Sequence, residues 1–415
     1  MNLYGFFVEG YTFLGIFLAI LGAIALGYTG AALIAWTVFI AITLFLFGAG
    51  PVTCAAFATP LLLLNVQPLR RIFLTRPIVV LLDKLKILPQ ISETEMIALK
   101  AGSTWVEQEL FSGKPDFKRI AAEPYRKVSG EELAFLDGPV NQLCNMVDDW
   151  DVYSEGDLTP ETWDFIKKNK FFGLVIPKEY GGLGFSALGN SEVVSKLGTR
   201  SGPLAVTVMV PNSLGPAELL SHYGTQKQKD FYLPRLADGR EIPCFALTEP
   251  NAGSDAGSMT SNGVVFKGDD GELYVRLNWE KRYITLAAIS TLIGLAIKLR
   301  DPDNLLGKGE DLGITCILVP ASTPGVVLGK RHNPLGVPFF NCPTKGEDVV
   351  VSLEQIIGGP EGAGQGWKML MECLGIGRSI SLPAQAAGGA KLMTRTVGAY
   401  AAIRKQFGLE IGKFE

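Results

Sequence analysis

The stretch FALTEPNAGSDAGS, residues 245–258, decides how the rest of the chain is read. Phe245, Ala246 and Leu247 have the short apolar character of a strand end, and Pro250 to Gly257 that of an irregular turn. A hairpin closes with two or three turn residues, and this loop has about ten. A long glycine-bearing loop at a strand end is a place where another group comes close to the backbone. The stretch thus poses a chemical question. Something requires a hydroxyl at Thr248, a carboxylate at Glu249 and bare backbone at Gly253.

Composition narrows the classes. With 415 residues the chain is long enough for about two or three domains. A formal net charge of −3 gives no electrostatic case for nucleic acid. Six cysteines (Cys54, Cys144, Cys244, Cys316, Cys342, Cys373) are scattered without a C-x-x-C pair, as free thiols are. His222 and His332 lie far apart, so no metal site and no Ser-His-Asp triad is expected.

The N-terminus differs from the rest. Between Glu9 and Arg70 no charged residue occurs. Tyr11 to Gly27 and Ala31 to Gly48 are each nearly long enough to cross about 30 Å of hydrocarbon, with Gly27-Tyr28-Thr29-Gly30 as a turn between them. Residues 1–50 are therefore expected to form a transmembrane hairpin, with a buried core hairpin as the alternative. No Lys or Arg precedes the first run, which argues against a secretory signal. Arg70, Arg71, Arg76, Lys84 and Lys86 follow, so the positive-inside rule places the remainder in the cytoplasm. Residues 51–89 read as a basic juxtamembrane linker. Its part IFLTRPIVVLLDKLKIL, 72–88, suits a membrane interface.

From about residue 90 to 240 helical spacing dominates, opening with a capping pattern in SETEMIALKAGSTWVEQELF, 92–111. The glycines of GLVIPKEYGGLGFS, 173–186, mark either a close approach to a ligand or a plain structural turn. Residues 241–358 break into short apolar runs with β-branched residues, the texture of a β-barrel or sandwich. From 359 the chain passes through GGPEGAGQGWKM into helix; a dinucleotide fingerprint there would need a βαβ unit. Met393, Val397, Tyr400, Ile403 and Phe407 fall on one helical stripe.

With this order of helices, β-domain and helices, ALTEPNAGSDAGS resembles the first signature of the acyl-CoA dehydrogenases: small–aliphatic–Ser/Thr–Glu–x–x–small–Gly–Ser–Asp. IPKEYGGLGFS, HYGTQKQKDFYLPRLADG, EKRYIT, IIGGPEGAGQGW and RKQFG support it in the right order, and together cover about residues 90–415. The apolar N-terminus makes the chain most similar to the membrane-associated, long-chain branch of bacterial fatty-acid degradation. The resemblance implies an α+β fold in which two transmembrane helices precede a helical domain (90–240). A β-domain (241–358) and the start of a C-terminal helical bundle (359–415) follow. It implies FAD as cofactor and dehydrogenation of acyl-CoA to trans-2-enoyl-CoA. Electrons would pass to an electron-transfer flavoprotein, in a homo-oligomer at the bacterial inner membrane with the catalytic part facing the cytoplasm.

By the same resemblance, Leu247 and Thr248 hold the polar edge of the flavin, and Gly253 and Ser254 lie against its pyrophosphate. Ser254 also borders the CoA groove, and Arg378 falls on the substrate side. Tyr283, Ile284 and Thr285 match the family's Trp-Ile-Thr beside the flavin ring. Arg404, Gln406 and Phe407 match a stretch that reaches the FAD of a neighbouring subunit. There are departures: Tyr283 replaces Trp, Leu286 stands where Asn is usual, and Trp279 where Gly is usual. No catalytic base is assigned. The family places it near the end of the bundle, which would be beyond Glu415, or directly before the Arg matched by Arg378. Here that neighbour is Gly377, and Glu372 lies more than a turn earlier. The chain therefore reads as the N-terminal part of such an enzyme, with about two bundle helices, no activity by itself and weak FAD binding. A non-catalytic membrane-anchored scaffold that binds acyl-CoA or flavin, and an acyl-CoA oxidase, are the alternatives.

Overall fold

The computed structural model describes residues 4–8, 10–87, 91–101 and 106–414. They fall into two compact units, 1–91 and 92–415.

The first unit is helical. Helix α1 (Thr12–Tyr28) and helix α2 (Leu33–Leu46) are joined by a turn in which Gly30 takes φ +60°. The two approach closely where Gly22 meets the Phe39 ring, a site with no room for a Cβ. The transmembrane expectation is not met: no helix among the described residues is long and apolar enough to cross a membrane. Composition is not the obstacle; length is. The 17 residues of α1 and 14 of α2 give about 26 Å and 21 Å at about 1.5 Å per residue, short of about 30 Å. The inner-membrane localisation rested on those spans and falls with them. Within the segment read as a linker, helices occupy Pro51–Asn65 and Arg76–Lys84. Residues 88–90, at its end, lie outside the described residues.

In the second unit, helices precede and follow one seven-stranded sheet. The strands are β1 (Pro243–Ala246), β2 (Asn262–Lys267), β3 (Leu273–Thr285), β4 (Leu292–Arg300), β5 (Asp311–Pro320), β6 (Val326–Leu328) and β7 (Asn341–Ser352). The β-runs thus join one hydrogen-bonded network. Strand β4 organises it. Along one edge it pairs antiparallel with β5; along the other, its first half pairs parallel with β1 and its second half parallel with β2. Strands β1 and β2 therefore continue one line, from Ala246 opposite Leu295 to Asn262 opposite Lys298. Residues 247–261 are looped out of that line, which displays the signature loop at the sheet's margin.

Period-two burial fixes the sheet between two cores. Ile293, Leu295, Ile297 and Leu299 of β4 face one with Val265, Leu277 and Val349. Leu292 and Ala296 face the other, with Cys316 and Leu318, against Leu219, Leu233 and Leu370 of the helices. Gly182 serves the fold itself, since a Cβ there would lie 2.0 Å from the Ile176 carbonyl. Likewise Gly364 and Gly366 let helix and loop press on Leu312 and Ile314 of β5, and no βαβ unit follows. One long helix, Gly375–Ile403, ends the unit. Where the sequence led to the expectation of a second bundle helix, the described residues form a two-stranded hairpin, Lys405–Gln406 with Leu409–Glu410. Phe407 and Gly408, at φ +51° and +82°, form its tight turn.

Candidate functional site

The looped-out segment is held from inside. Glu249 and Ala252 exchange backbone hydrogen bonds of 3.1 and 3.3 Å, and a 3-10 turn follows at Ala256–Ser258. The Glu249 carboxylate is buried and accepts from the Thr260 amide (2.7 Å) and hydroxyl (2.9 Å), the Ser261 amide (3.0 Å) and Lys281 Nζ (2.8 Å). Burial works against its charge, but the Lys281, Ser261 and Thr260 bonds outweigh it and hold the carboxyl at about 2. Lys281, fully buried on β3, also donates to the Leu247 carbonyl (3.0 Å). Its ammonium has fewer partners, and burial pulls it below its usual range despite the carboxylate. The acid of the signature is therefore a staple of the loop. Sequence reading missed Lys281, although a signal existed: Val275, Leu277, Trp279 and Lys281 alternate on one buried face of β3.

The same contacts bring two distant motifs together. The Thr248 carbonyl accepts from the Arg282 amide at 3.0 Å, next to the Lys281 bond. Beyond it, the pairing of β3 with β7 slips by one residue between Lys281 and Ile284. This bulge turns Tyr283 out at φ +58°, half-exposed, while Ile284 is buried. Leu286, at φ +66°, is buried and bonded to the Phe340 carbonyl. Asn tolerates that left-handed backbone well, so Leu there keeps the conformation and adds core packing. Trp279 is accommodated by Gly346, which has no room for a Cβ under the indole.

Leu247, Thr248, Tyr283, Ile284, Thr285 and Arg378 line one cavity. Val210, Leu214, Phe245 and Leu374, which sequence reasoning did not single out, complete it. Ordinary apolar residues of core helices and strands carry no signal that separates them from packing. None of the lining residues is an acid. The volume, about 110 Å³, is below the roughly 300–1,000 Å³ of an enclosed ligand pocket, so these residues form a wall and not an enclosed pocket. That wall combines apolar surface, two threonine hydroxyls, a tyrosine ring and a cation.

Other expected residues lie elsewhere. Gly253 and Ser254 are exposed on the loop outside this lining, and a Cβ at Gly253 would meet open space. Nothing within the chain requires glycine there. Arg404, Gln406 and Phe407 stand at the far end of the long helix, with about 38 Å of helix between Arg378 and Ile403 at about 1.5 Å per residue. Glu372 accepts a short bond from the Tyr223 hydroxyl and does not line the cavity. A second cavity, about 460 Å³, lies beside Gly257, Gly313, Gly364, Trp367 and the half-buried Lys298.

Residues 140–240 match the N-terminal domain of the acyl-CoA dehydrogenases, and residues 244–349 their middle domain. The chain belongs to the acyl-CoA dehydrogenase family. It is 33% identical over 262 residues to a probable acyl-CoA dehydrogenase, YngJ, of Bacillus subtilis, covering 63% of this chain and 65% of that protein. It is 34% identical over 268 residues to the caffeyl-CoA reductase–Etf complex subunit CarC of Acetobacterium woodii, covering 64% and 66%. The chain thus spans just under two thirds of each of these relatives. Butyryl-CoA dehydrogenase from Megasphaera elsdenii superposes with a TM-score of 0.60 at 26% identity, over 70% of this chain and 73% of that one. The middle-domain match ends at residue 349, so Arg378 and the long helix lie beyond the two matched domains.

Proposed function

We propose that this chain is the flavin- and thioester-binding part of an FAD-dependent acyl-CoA dehydrogenase acting on long-chain acyl-CoA. The observation that carries this reading is the convergence of Leu247 and Thr248, Tyr283 to Thr285, and Arg378 on one cavity wall from three separate parts of the chain. The residues fit a flavin. An exposed aromatic face offers stacking, the Thr248 and Thr285 hydroxyls offer partners to a polar ring edge, and Gly253 leaves its backbone open to a pyrophosphate. FAD bound there would supply the hydride acceptor for the α,β-dehydrogenation.

The chain's own part is to bind and orient. Arg378 places a cation at the cavity, where charge develops on the thioester oxygen as the α-proton leaves. Lys298, whose ammonium has no hydrogen-bond partner among the described residues, suits the phosphates of the CoA arm, with Ser254 and Gly257 on the intervening loop. Arg404, Gln406 and Phe407, in the hairpin beyond the far end of the long helix, are too distant to share this cavity, so a flavin contact from them belongs to a second subunit in a homo-oligomer. An electron-transfer flavoprotein is the proposed acceptor, supported by the Etf-complex relative. The test is to load the chain with FAD and titrate palmitoyl-CoA while following the flavin spectrum. A saturable perturbation, weakened about three- to tenfold by Arg378→Gln or Lys298→Gln at unchanged flavin content, is expected for lost charge-assisted contacts. An unperturbed spectrum at saturating thioester contradicts the reading.

A further inference from the structure

We propose that Arg282 and His332 are positioning residues that clamp the Tyr283 ring between a guanidinium over its face and a T-shaped imidazole, so that the held ring forms the aromatic wall of the cavity. On a regular strand, neighbours such as 282 and 283 point to opposite faces. The bulge between Lys281 and Ile284 removes that restriction. The Arg282 guanidinium comes to lie 4.3 Å from the Tyr283 ring centroid, and its Nη2 donates to the Tyr283 hydroxyl. His332 packs against the ring in a T-shaped contact, with centroids 5.5 Å apart at 61°.

The His332 side of the clamp is itself anchored. Its backbone amide donates to the Asn341 carbonyl at 2.7 Å, at the start of β7, and Asn341 Nδ2 donates to the Thr285 hydroxyl at 3.3 Å. Arg331 lies over the Phe340 ring at 4.2 Å and donates to the Gly156 carbonyl. One hydrogen-bonded strip thus runs from His332 through Asn341 to Thr285, two residues from the ring it steadies. Tyr283 needs steadying. It is 53% exposed at φ +58°, a backbone conformation that a bulky residue keeps only when its surroundings hold it. A ring held by a cation over its face and by a T-shaped imidazole is restricted in the orientation it can offer to a planar ligand. His332, which the sequence leaves without a role, thereby acquires one.

This inference rests on the flavin reading for its ligand but not for its geometry, and two measurements separate them. With 3-fluorotyrosine at position 283 in the full chain without flavin, the parent should give a 19F resonance displaced from that of a free ring. Arg282→Met and His332→Ala should each move it towards the free value, and His332→Phe should restore it by keeping the T-shaped contact. An identical resonance in all four proteins overturns the clamp, whatever flavin does. With FAD added, the first two variants should weaken binding about three- to tenfold and change the visible circular dichroism of the flavin. His332→Phe should match the parent. Variants that bind FAD with the parent's affinity and dichroism overturn the clamp as a ligand-positioning device. A parent that binds no FAD fails the functional reading, and the ligand-positioning claim with it, leaving the 19F result to judge the clamp alone.

Discussion

Glu249 and Lys281 have almost no exposed surface, and they set how the signature loop stands on the sheet. Breaking a buried pair by removing one partner leaves an uncompensated charge. Lys281→Met should therefore cost about 3–5 kcal/mol of stability, read from urea denaturation. Glu249→Leu with Lys281→Met should recover most of that loss, because it removes the stranded carboxylate. The sign with pH follows from the carboxyl. Its folded value, about 2, lies below the ordinary 4.5, so its contribution is complete above about 4.5 and disappears as the pH falls to about 2. A denaturation midpoint for the parent that is flat between pH 5 and pH 3 would count against this assignment. At this scale much of the site could be read in advance. Hydroxyls, glycines and the Tyr-Ile-Thr run are distinct residue types at fixed spacing. The role of Glu249 was not legible, because a carboxylate in a loop looks alike whether it faces a ligand or a buried lysine 32 positions away.

Helix starts illustrate the next scale. Glu132 closes the capping box of the helix Gly130–Phe135 through Ser129 and, with its other oxygen, accepts from the Ser186 amide (2.7 Å) and hydroxyl (2.6 Å) at the start of the helix Ala187–Gly198. Gly189 is kept small by that carboxylate, which a Cβ would approach to 2.3 Å. One residue thus ties two helix N-termini. Glu132→Ala should lower the unfolding free energy by about 2 kcal/mol or more, and Glu132→Gln by less, in chemical denaturation. Equal stability of all three proteins would deny the double cap. Strands were legible as short β-branched runs, and helices as periodic ones. The parallel pairing of β1 and β2 along β4 was not, since it joins segments far apart in sequence and leaves no local pattern. The apolar hairpin shows the converse. Hydropathy reads composition, but the turn around Gly30 and the helix ends set the length, and length overrules the transmembrane reading.

Across the whole molecule, Met393, Val397, Tyr400 and Ile403 are exposed along the last helix, and Phe407, expected on the same stripe, is exposed in the hairpin turn beyond it. Contiguous apolar surface of this kind promotes association. The purified chain should self-associate, and Val397→Lys with Ile403→Lys should reduce its light scattering; unchanged scattering would show that this face is not responsible. The central claim is that the looped-out segment presents its backbone to FAD. Gly253 tests it most directly, because a side chain there meets open space within the chain and a branched residue should leave the fold intact. The measurement is an equilibrium titration of the chain with FAD, followed by flavin fluorescence, for the parent and for Gly253→Val. The account predicts weak, saturable binding by the parent and a loss of at least about tenfold in the variant, with the far-ultraviolet circular dichroism of the two superimposable. Equal FAD affinity of parent and Gly253→Val would contradict it.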